Sequence, residues 1–259
     1  MTAAQLHIAR SFGQAAAHYD EFAVLQREVA DSLLVGIAVA APGAMLDLGC
    51  GTGYCAGKLS ARFPAAQLVA LDLALPMLHA AAAHASCETQ LLCADMQALP
   101  LHNAVAELAV SSLSLQWCAD VQQVFSELFR VLRPGGQALL STFGPATLRE
   151  LGSAWNVADA HVHVNKFVGQ TLLEQTARAV GFSVTTTREI KVRYYASLRA
   201  IARELKGIGA HNMNDGRAYG LTPRAAFVRA EQEFSKGLVP GQGIPVTWEM
   251  YYFDLRKPQ

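Results

Sequence analysis

The segment LDLGCGTG at residues 46–53 combines an acid, Asp47, with a glycine at every second position, Gly49, Gly51 and Gly53. Glycine lets the backbone turn sharply and lets a ligand approach it closely. Such a turn after a strand usually binds phosphate, and this one also matches the loose dinucleotide-binding pattern. However, the segment contains no Lys or Arg, and its carboxylate would repel a pyrophosphate. The residue types therefore favour a ligand with an ammonium group.

Two further acids lie at the ends of the next two apolar runs. Asp72 is in QLVALDL (67–73), and Asp95 is in QLLCAD (90–95). Since ligands bind outside the carboxyl ends of parallel strands, we expect the three acids to line one crevice. S-adenosylmethionine suits this crevice: it has no phosphate and offers an ammonium to Asp47, ribose hydroxyls to Asp72 and an adenine amino group to Asp95. An NAD site is disfavoured on the same grounds.

The elements that must position these acids are nearly all-apolar strands alternating with helices, a pattern typical of parallel strands covered on both faces. Later strands are predicted at 183–192 and 246–255, the last of them closing the sheet as part of a pair or as an edge. The pattern predicts an α/β fold with a doubly wound, mostly parallel sheet. The first five predicted strands are residues 45–49, 67–73, 90–95, 107–115 and 137–143.

We predict a single domain for the 259 residues. Residues 1–40 are expected to form lid helices, residues 41–145 the cofactor-binding core, and residues 146–259 substrate-side helices, inserted before the last strands, and closing strands.

Composition excludes several classes of protein. The formal net charge is zero, which argues against nucleic-acid binding by bulk charge. We find no signal peptide and no long apolar run, so a cytoplasmic protein without membrane contact is expected.

The five cysteines form no CxxC pair and are interpreted as buried free thiols of a reducing compartment. Residues 1–150 carry a net charge of −5 and residues 151–259 a net charge of +5, which favours an acidic partner for the later segment.

The core motifs resemble those of class I S-adenosylmethionine-dependent methyltransferases over roughly residues 40–145. The motifs are LDLGCGTG, LDLALPML, CADMQALPL and ELFRVLRPGG. The resemblance implies a Rossmann-like sheet of seven strands with the last one antiparallel, and S-adenosylmethionine as cofactor. It adds Leu73, Met96 and Ser111 to the cofactor-binding residues, with Met96 contacting adenine through its backbone. The segment SSLSLQW (111–117) would pass the transferred methyl group.

The flanking segments are similar to the malonyl-[acyl-carrier protein] O-methyltransferases of the biotin pathway. This similarity is carried by residues 10–34, by SSLSLQWCAD, by HVHVNKF (161–167) and by RELKGIGAHN (203–212). It implies methyl transfer to a malonyl group on an acidic acyl carrier protein. It also implies that Tyr19, on a lid helix, and the pair Gln116 and Trp117 are the catalytic residues.

The chemistry of that reaction fits the residues. A malonyl carboxylate has a pKa of about 4 and is ionised at neutral pH, so it needs alignment and desolvation rather than a general base. No nucleophile–base motif is found, and His161 and His163 lack the further ligands of a metal site. A cation should select the carboxylate, and residues 188–206 contain six basic groups against two acids. The candidate substrate-binding residues are His163, Arg193, Arg203 and Lys206.

Two alternatives stay open at this point. A small-molecule methyltransferase, for example one acting on quinones, would share the cofactor motifs. C-methylation would require a base that the sequence does not show. A non-catalytic cofactor-binding module is the second alternative, which the three intact acids disfavour.

Overall fold

The computed structural model describes residues 2–85, 88–210 and 223–259. Cys87 and the last two residues of the RELKGIGAHN segment lie outside these ranges. Seven strands form one sheet in the order β3-β2-β1-β4-β5-β7-β6. They are β1 (Ala44–Leu48), β2 (Gln67–Asp72), β3 (Thr89–Cys93), β4 (Ala106–Ser112), β5 (Leu132–Phe143), β6 (Ser183–Tyr195) and β7 (Ile244–Arg256).

Strand direction confirms the predicted α/β class. Strands β1 to β5 run parallel to one another, and β7 pairs antiparallel with both β5 and β6. The last strand is thus part of a closing pair, but the expectation of an edge is wrong for it. β7 lies between β5 and β6, and Trp248 and Phe253 on it are buried. Because β7 has a strand on each side, the closing edge is β6.

Helices cover the sheet and precede it. They are α1 (Ala3–Ala15), α2 (Tyr19–Phe22), α3 (Val24–Val35), α4 (Tyr54–Arg62), α5 (Leu75–Ala81), α6 (Val121–Val131), α7 (Arg149–Ala158), α8 (Gln170–Val180), α9 (Leu198–Gly207) and α10 (Arg224–Ser235). A 3₁₀ turn spans Leu115–Trp117. The helices predicted after residue 145 correspond to α7 to α10: α7 and α8 precede β6, and α9 and α10 lie between β6 and β7.

Local sequence explains where the elements begin. Helix α6 starts after Asp120, whose carboxylate accepts the Gln123 backbone N–H at 3.0 Å, and it buries residues at helical spacing. Helix α1 starts with a capping box between Thr2 and Gln5. Helix α6 ends at Val131, and the RPGG residues that follow belong to β5, which begins at Leu132 opposite Ala106 across an irregular register.

The cysteine expectation is confirmed only in part. Cys50, Cys55, Cys93 and Cys118 are free, but Cys93 is exposed and Cys118 is half-buried. Within the described ranges, no helix combines the length and the apolar character that crossing a bilayer requires. That the whole chain forms one domain stays a prediction.

Candidate functional site

A pocket of about 1060 Å³, solvent at its mouth included, lies at the carboxyl ends of the parallel strands. Asp47, Asp72 and Asp95 all line it, each from a different strand end. This juxtaposition follows from the parallel arrangement, because the register pairs Asp47 with Ala70 and Asp72 with Cys93. The predicted crevice with three acids is therefore present in the structure.

The glycine turn has backbone conformations that residues other than glycine rarely adopt. Gly49, Gly51 and Gly53 have φ angles of 71°, 55° and 89°. A Cβ on Gly49 would overlap the Ser114 side chain, and one on Gly53 would lie 3.0 Å from the Ala81 Cβ. A Cβ on Gly51 would meet nothing within 4 Å. Gly49 and Gly53 thus allow tight packing, whereas Gly51 leaves backbone open toward the pocket it lines.

Asp47 is the acid whose environment points most directly to a ligand. It is 1% exposed, and its Oδ2 has no hydrogen-bond partner among the described residues. Burial raises the pKa of the Asp47 carboxyl to about 7; a hydrogen bond from the Ala56 backbone opposes this shift, and the charge of Asp72 adds to it. A buried carboxylate without a partner is costly, so a ligand cation that pairs with it would be bound favourably.

Asp72 and Asp95 already hold backbone groups in place. The Asp72 Oδ2 accepts the Gly51 N–H at 2.9 Å, and its Oδ1 accepts the Ala74 N–H at 2.8 Å. Burial raises the pKa of Asp72, and these hydrogen bonds oppose the rise. The Asp95 Oδ1 accepts the Gln97 N–H at 2.9 Å. Each carboxylate oxygen has a second lone pair, so both acids can still accept hydrogen bonds from ligand hydroxyl or amino groups.

The N-terminal helices form one wall of the pocket, as predicted for a lid. Gln5 of α1 donates to the Asp95 Oδ2 at 2.5 Å, and the Phe12 ring meets the Trp117 ring edge-on with centroids 5.2 Å apart. Tyr19, at the start of α2, also lines the pocket. Burial raises the pKa of the Tyr19 hydroxyl, and the charge of Asp72 adds to this rise. The phenol therefore stays protonated at neutral pH and can only donate or accept hydrogen bonds.

The structure brings most of the predicted cofactor residues together, but three of the predicted cofactor-binding and catalytic residues do not line the pocket. Gly53 caps α4. The Ser111 hydroxyl is buried and donates to the Leu48 carbonyl oxygen at 2.8 Å, so its neighbour Ser112 lines the pocket instead. The Gln116 amide donates to the Leu113 carbonyl oxygen at 2.6 Å and accepts from the Thr142 hydroxyl at 3.1 Å. Its contacts therefore support the wall that carries Trp117.

The four predicted substrate-binding residues lie outside the pocket lining. The His163 ring stacks on Trp155 at 3.9 Å between centroids, and its Nε2 lies 2.9 Å from an Asp159 carboxylate oxygen. Arg193 on β6 lies 3.9 Å from the carboxylate of Glu204. Arg203 and Lys206 are exposed on α9, a helix that packs against α2 of the lid.

Sequence reasoning missed a pair of hydrogen bonds that hold Asp20 of the lid to the glycine turn and to α3. The Thr52 hydroxyl donates to the Asp20 carboxylate at 2.8 Å, and Arg27 donates to the Asp20 carbonyl oxygen at 2.7 Å. In the described part of the chain, Arg27 is the only Lys or Arg that lines the pocket. The acid–base pair seven residues apart in the first 40 residues was a weak signal, because only the folded chain brings Asp20 to Thr52 of the glycine turn, 32 residues away.

These features fit S-adenosylmethionine, the predicted cofactor. The unpartnered Asp47 oxygen suits its ammonium, Arg27 suits its carboxylate, and the open backbone at Gly51 permits close approach. The thiol of Cys118 also lines the pocket, but burial raises its pKa to about 12, so it is no nucleophile at neutral pH. Among the described lining residues there is no histidine or lysine.

Comparison with known sequences agrees with this geometry. A methyltransferase domain family matches residues 46–140. The malonyl-[acyl-carrier protein] O-methyltransferase of Methylococcus capsulatus is 42% identical over 242 residues, covering 92% of this chain and 87% of that protein. The biotin biosynthesis bifunctional protein BioHC of Teredinibacter turnerae is 41% identical over 97% of this chain, which spans 46% of that relative. This chain thus spans about half the length of such bifunctional relatives.

Solved structures show the same fold at low sequence identity. The YcgJ protein of Bacillus subtilis superposes with a TM-score of 0.63 at 15% identity, covering 89% of this chain and 98% of that chain. A phosphoethanolamine N-methyltransferase of Haemonchus contortus, solved with S-adenosylhomocysteine, gives 0.61 at 16% identity, covering 100% of this chain and 61% of that chain. At such identities the match concerns the fold alone.

The sequence relatives and the acid-lined pocket lead to one assignment. The similarity to the Methylococcus capsulatus protein covers 92% of this chain and 87% of that protein, so it extends well beyond the cofactor core. The chain belongs to the malonyl-[acyl-carrier protein] O-methyltransferase family of methyltransferases.

Proposed function

We propose that this protein methylates the free carboxylate of a malonyl group carried by an acyl carrier protein, with S-adenosylmethionine as methyl donor. The product would be the malonyl methyl ester that primes pimeloyl synthesis for biotin. The observation that carries the cofactor assignment is the buried, unpartnered Asp47 oxygen in a pocket that Asp72 and Asp95 also line. The relatives named for malonyl-carrier methylation support the substrate.

The described pocket lining contains no histidine or lysine, and its three strand-end acids are assigned to the cofactor, which supports carboxylate methylation. When bound, S-adenosylmethionine would supply an electrophilic methyl group; its transfer forms the bond to a carboxylate oxygen, breaks the bond to sulfur with the thioether as leaving group, and needs no proton transfer. The substrate carboxylate is already ionised at neutral pH. Methylation of a carbon acid would instead need a base, and the Tyr19 phenol, with its raised pKa, does not serve as one at neutral pH. The pocket therefore favours the carboxylate substrate over a carbon nucleophile.

We infer that the chain's own residues act by positioning. Tyr19 and Trp117 both line the pocket near the lid, and the edge-on contact of Phe12 with Trp117 helps to exclude water. Gln116 holds the wall of Trp117 through its two amide hydrogen bonds. Alignment of two bound reactants can supply on the order of 7–11 kcal/mol of the barrier, so the geometry of the walls matters more than any proton donor.

The basic segment, residues 188–206, contains cations that pair with acids of this chain and cations that have no acidic partner among the described residues. Arg188 pairs with the buried Glu249 at 2.6 Å, Lys191 pairs with Glu28 at 3.3 Å, and Arg193 lies near Glu204. The three basic side chains of α9 occupy one exposed face at spacings of four and three residues; they are Arg199, Arg203 and Lys206.

No acidic partner among the described residues pairs with Arg203 or Lys206. We propose this basic face of α9 as the surface that attracts the acidic carrier. A cytoplasmic location and the absence of nucleic-acid or membrane partners stay predictions from composition.

The proposal is tested with purified protein and labelled S-adenosylmethionine. Malonyl-carrier protein, malonyl-coenzyme A and free malonate are offered in parallel, and label in an ester is measured. We expect the highest kcat/KM for the malonyl-carrier protein. Label transfer to a quinone acceptor, with none to any malonyl compound, would refute the substrate assignment while leaving the cofactor assignment intact.

A further inference from the structure

The end of α9 touches the lid through a glycine. Gly207 is the last residue of α9, and a Cβ built there would overlap the Phe22 ring of α2, with 2.8 Å to its Cε2 and less to the ring atoms nearer the backbone. Those ring atoms would have to move, either by rotation of the Phe22 side chain or by displacement of α2. The contact therefore favours a residue without a side chain at position 207 as long as Phe22 keeps its place.

A second glycine, Gly209, makes a similarly close contact with α1. Gly209 has a φ of 71°, and a Cβ there would lie 2.9 Å from the Ser11 carbonyl oxygen and 3.1 Å from the Phe12 Cα. The turn is closed by the Gly209 N–H to the Lys206 carbonyl oxygen at 3.0 Å and the Ala210 N–H to the Leu205 carbonyl oxygen at 2.9 Å. Both the positive φ and the close backbone approach favour glycine here.

The elements held by these glycines are the ones that wall the pocket. Phe12 of α1 lines the pocket one residue after Ser11, and Tyr19 lines it from the same short helix that carries Phe22. On its other side α1 rests on α5, where a Cβ on Gly13 would lie 3.1 Å from Pro76. The lid is therefore held between α5 and the end of α9.

We propose that Gly207 and Gly209 are positioning residues that seat the lid helices over the cofactor pocket. They touch neither pocket nor ligand, and they act through Phe22 and the backbone at Ser11 and Phe12. A side chain at either position is accommodated by displacement of the lid, which is less costly than disturbing the sheet. A substitution at either position therefore weakens cofactor binding rather than lowering global stability. This inference rests on the proposed cofactor, not on the proposed carrier substrate.

The test compares Gly207→Ala with Gly152→Ala. Gly152 is a helical glycine of α7 whose added Cβ would meet only a Val164 methyl, at 3.8 Å. The dissociation constant of S-adenosylhomocysteine is measured by calorimetry, and Tm is measured without ligand. We expect Gly207→Ala to weaken binding by about tenfold, as overpacked contacts do, with a change in Tm no larger than that of the control. Trypsin should also cleave faster after Arg10 in Gly207→Ala than in the control.

A double-mutant cycle separates lid positioning from a general packing defect. Phe22→Ala removes the ring that the methyl group introduced by Gly207→Ala would overlap. The Gly207→Ala/Phe22→Ala variant should therefore bind no more weakly than Phe22→Ala alone. The positioning role would be refuted if the losses of binding free energy in the two single variants added up in the double variant. It would also be refuted if the wild type bound S-adenosylhomocysteine and Gly207→Ala bound it equally well. Failure of the wild type to bind S-adenosylhomocysteine would instead refute the cofactor assignment.

Discussion

The cofactor pocket concentrates negative charge in a buried site, whereas the basic face of α9 presents positive charge to solvent. The pocket acids are held at strand ends by backbone hydrogen bonds, and Asp47 is 1% exposed. The basic side chains of α9 project from one exposed helix face. Buried charges are screened little by salt and act on a ligand at contact distance, whereas exposed charges act mainly by steering. The first region is thus suited to a small ligand and the second to a large, acidic partner.

The largest effect should come from removing Asp72. Asp72→Ala leaves ligand hydroxyls and the Gly51 and Ala74 N–H groups without an acceptor, and we expect S-adenosylmethionine binding to weaken by roughly 1–3 kcal/mol. Calorimetry on the folded variant measures this. Asp120→Ala is the matched control, because it also removes an acceptor of a backbone N–H, at the start of α6. Equal affinities in the two variants would remove Asp72 from the site.

The second prediction concerns pH and the pocket only. With a pKa of about 7, Asp47 is protonated below neutrality, and an ammonium ligand requires its carboxylate. Affinity for S-adenosylmethionine should therefore be about tenfold weaker at pH 6 than at pH 8, while kcat at saturating cofactor and substrate shows no acidic limb. The same shift means that stability of the ligand-free protein falls as pH rises from about 4 to 7, because the folded state holds the proton longer.

Asp47→Asn is the variant that checks this assignment. It should abolish the pH dependence of binding between pH 6 and 8, because the amide does not titrate. Persistence of the full dependence in Asp47→Asn would show that another group titrates. His18 immediately precedes α2, and its Nδ1 lies 3.0 Å from a Glu21 carboxylate oxygen. A limb in kcat near pH 7 that vanished on mutation of His18 or His163 would contradict methyl transfer without a base.

Charge reversal on α9 should have a smaller and salt-dependent effect. Arg203→Glu is expected to raise KM for malonyl-carrier protein several-fold and to reduce its salt sensitivity between about 50 and 300 mM, with kcat nearly unchanged. Arg133→Glu makes the same charge change near the start of β5, at the amino ends of the parallel strands, and should leave KM unchanged. No salt dependence for any malonyl substrate, with no difference between these variants, would refute carrier docking on α9.

The smallest functional effect is expected at Arg188. It belongs to the same basic segment, but its guanidinium pairs with Glu249, whose side chain is only 4% exposed. Arg188→Ala should lower Tm slightly by removing a partner of a buried carboxylate, and KM for the carrier substrate should stay constant. A change in KM comparable to that of Arg203→Glu would extend the docking surface to β6.

Much of the fold was predictable, because its signals are local. All-apolar runs marked the parallel strands, and the acids after them reached the predicted crevice. The position of β7 between β5 and β6 was not predictable in this way, since a buried strand has the same pattern whichever neighbours it pairs with. The burial of Ser111 rather than Ser112 was also missed. Side chains alternate between faces along a strand, so a shift of one residue moves the pocket-lining hydroxyl to its neighbour.

The basic segment shows a different limit of sequence reasoning. The excess of cations over residues 188–206 was visible, but which of them are paired depends on acids far away in sequence. Glu249 lies 61 residues from Arg188, and Glu28 lies 163 residues from Lys191. The LKGIGA residues were recognised as similar to a family, yet nothing local to them indicated a contact with the lid.

The sequence by itself determined the strands, the glycine turn and the three acids, because each depends on residues adjacent in the chain and on the geometry of parallel strands. The tertiary structure decided which groups remain available to a ligand or partner. Availability depends on what packs against each group: Asp47 Oδ2 has no partner in the described structure, Arg188 has one, and Gly207 and Gly209 have the lid against them. These are contacts between distant segments, and only the folded chain brings them together.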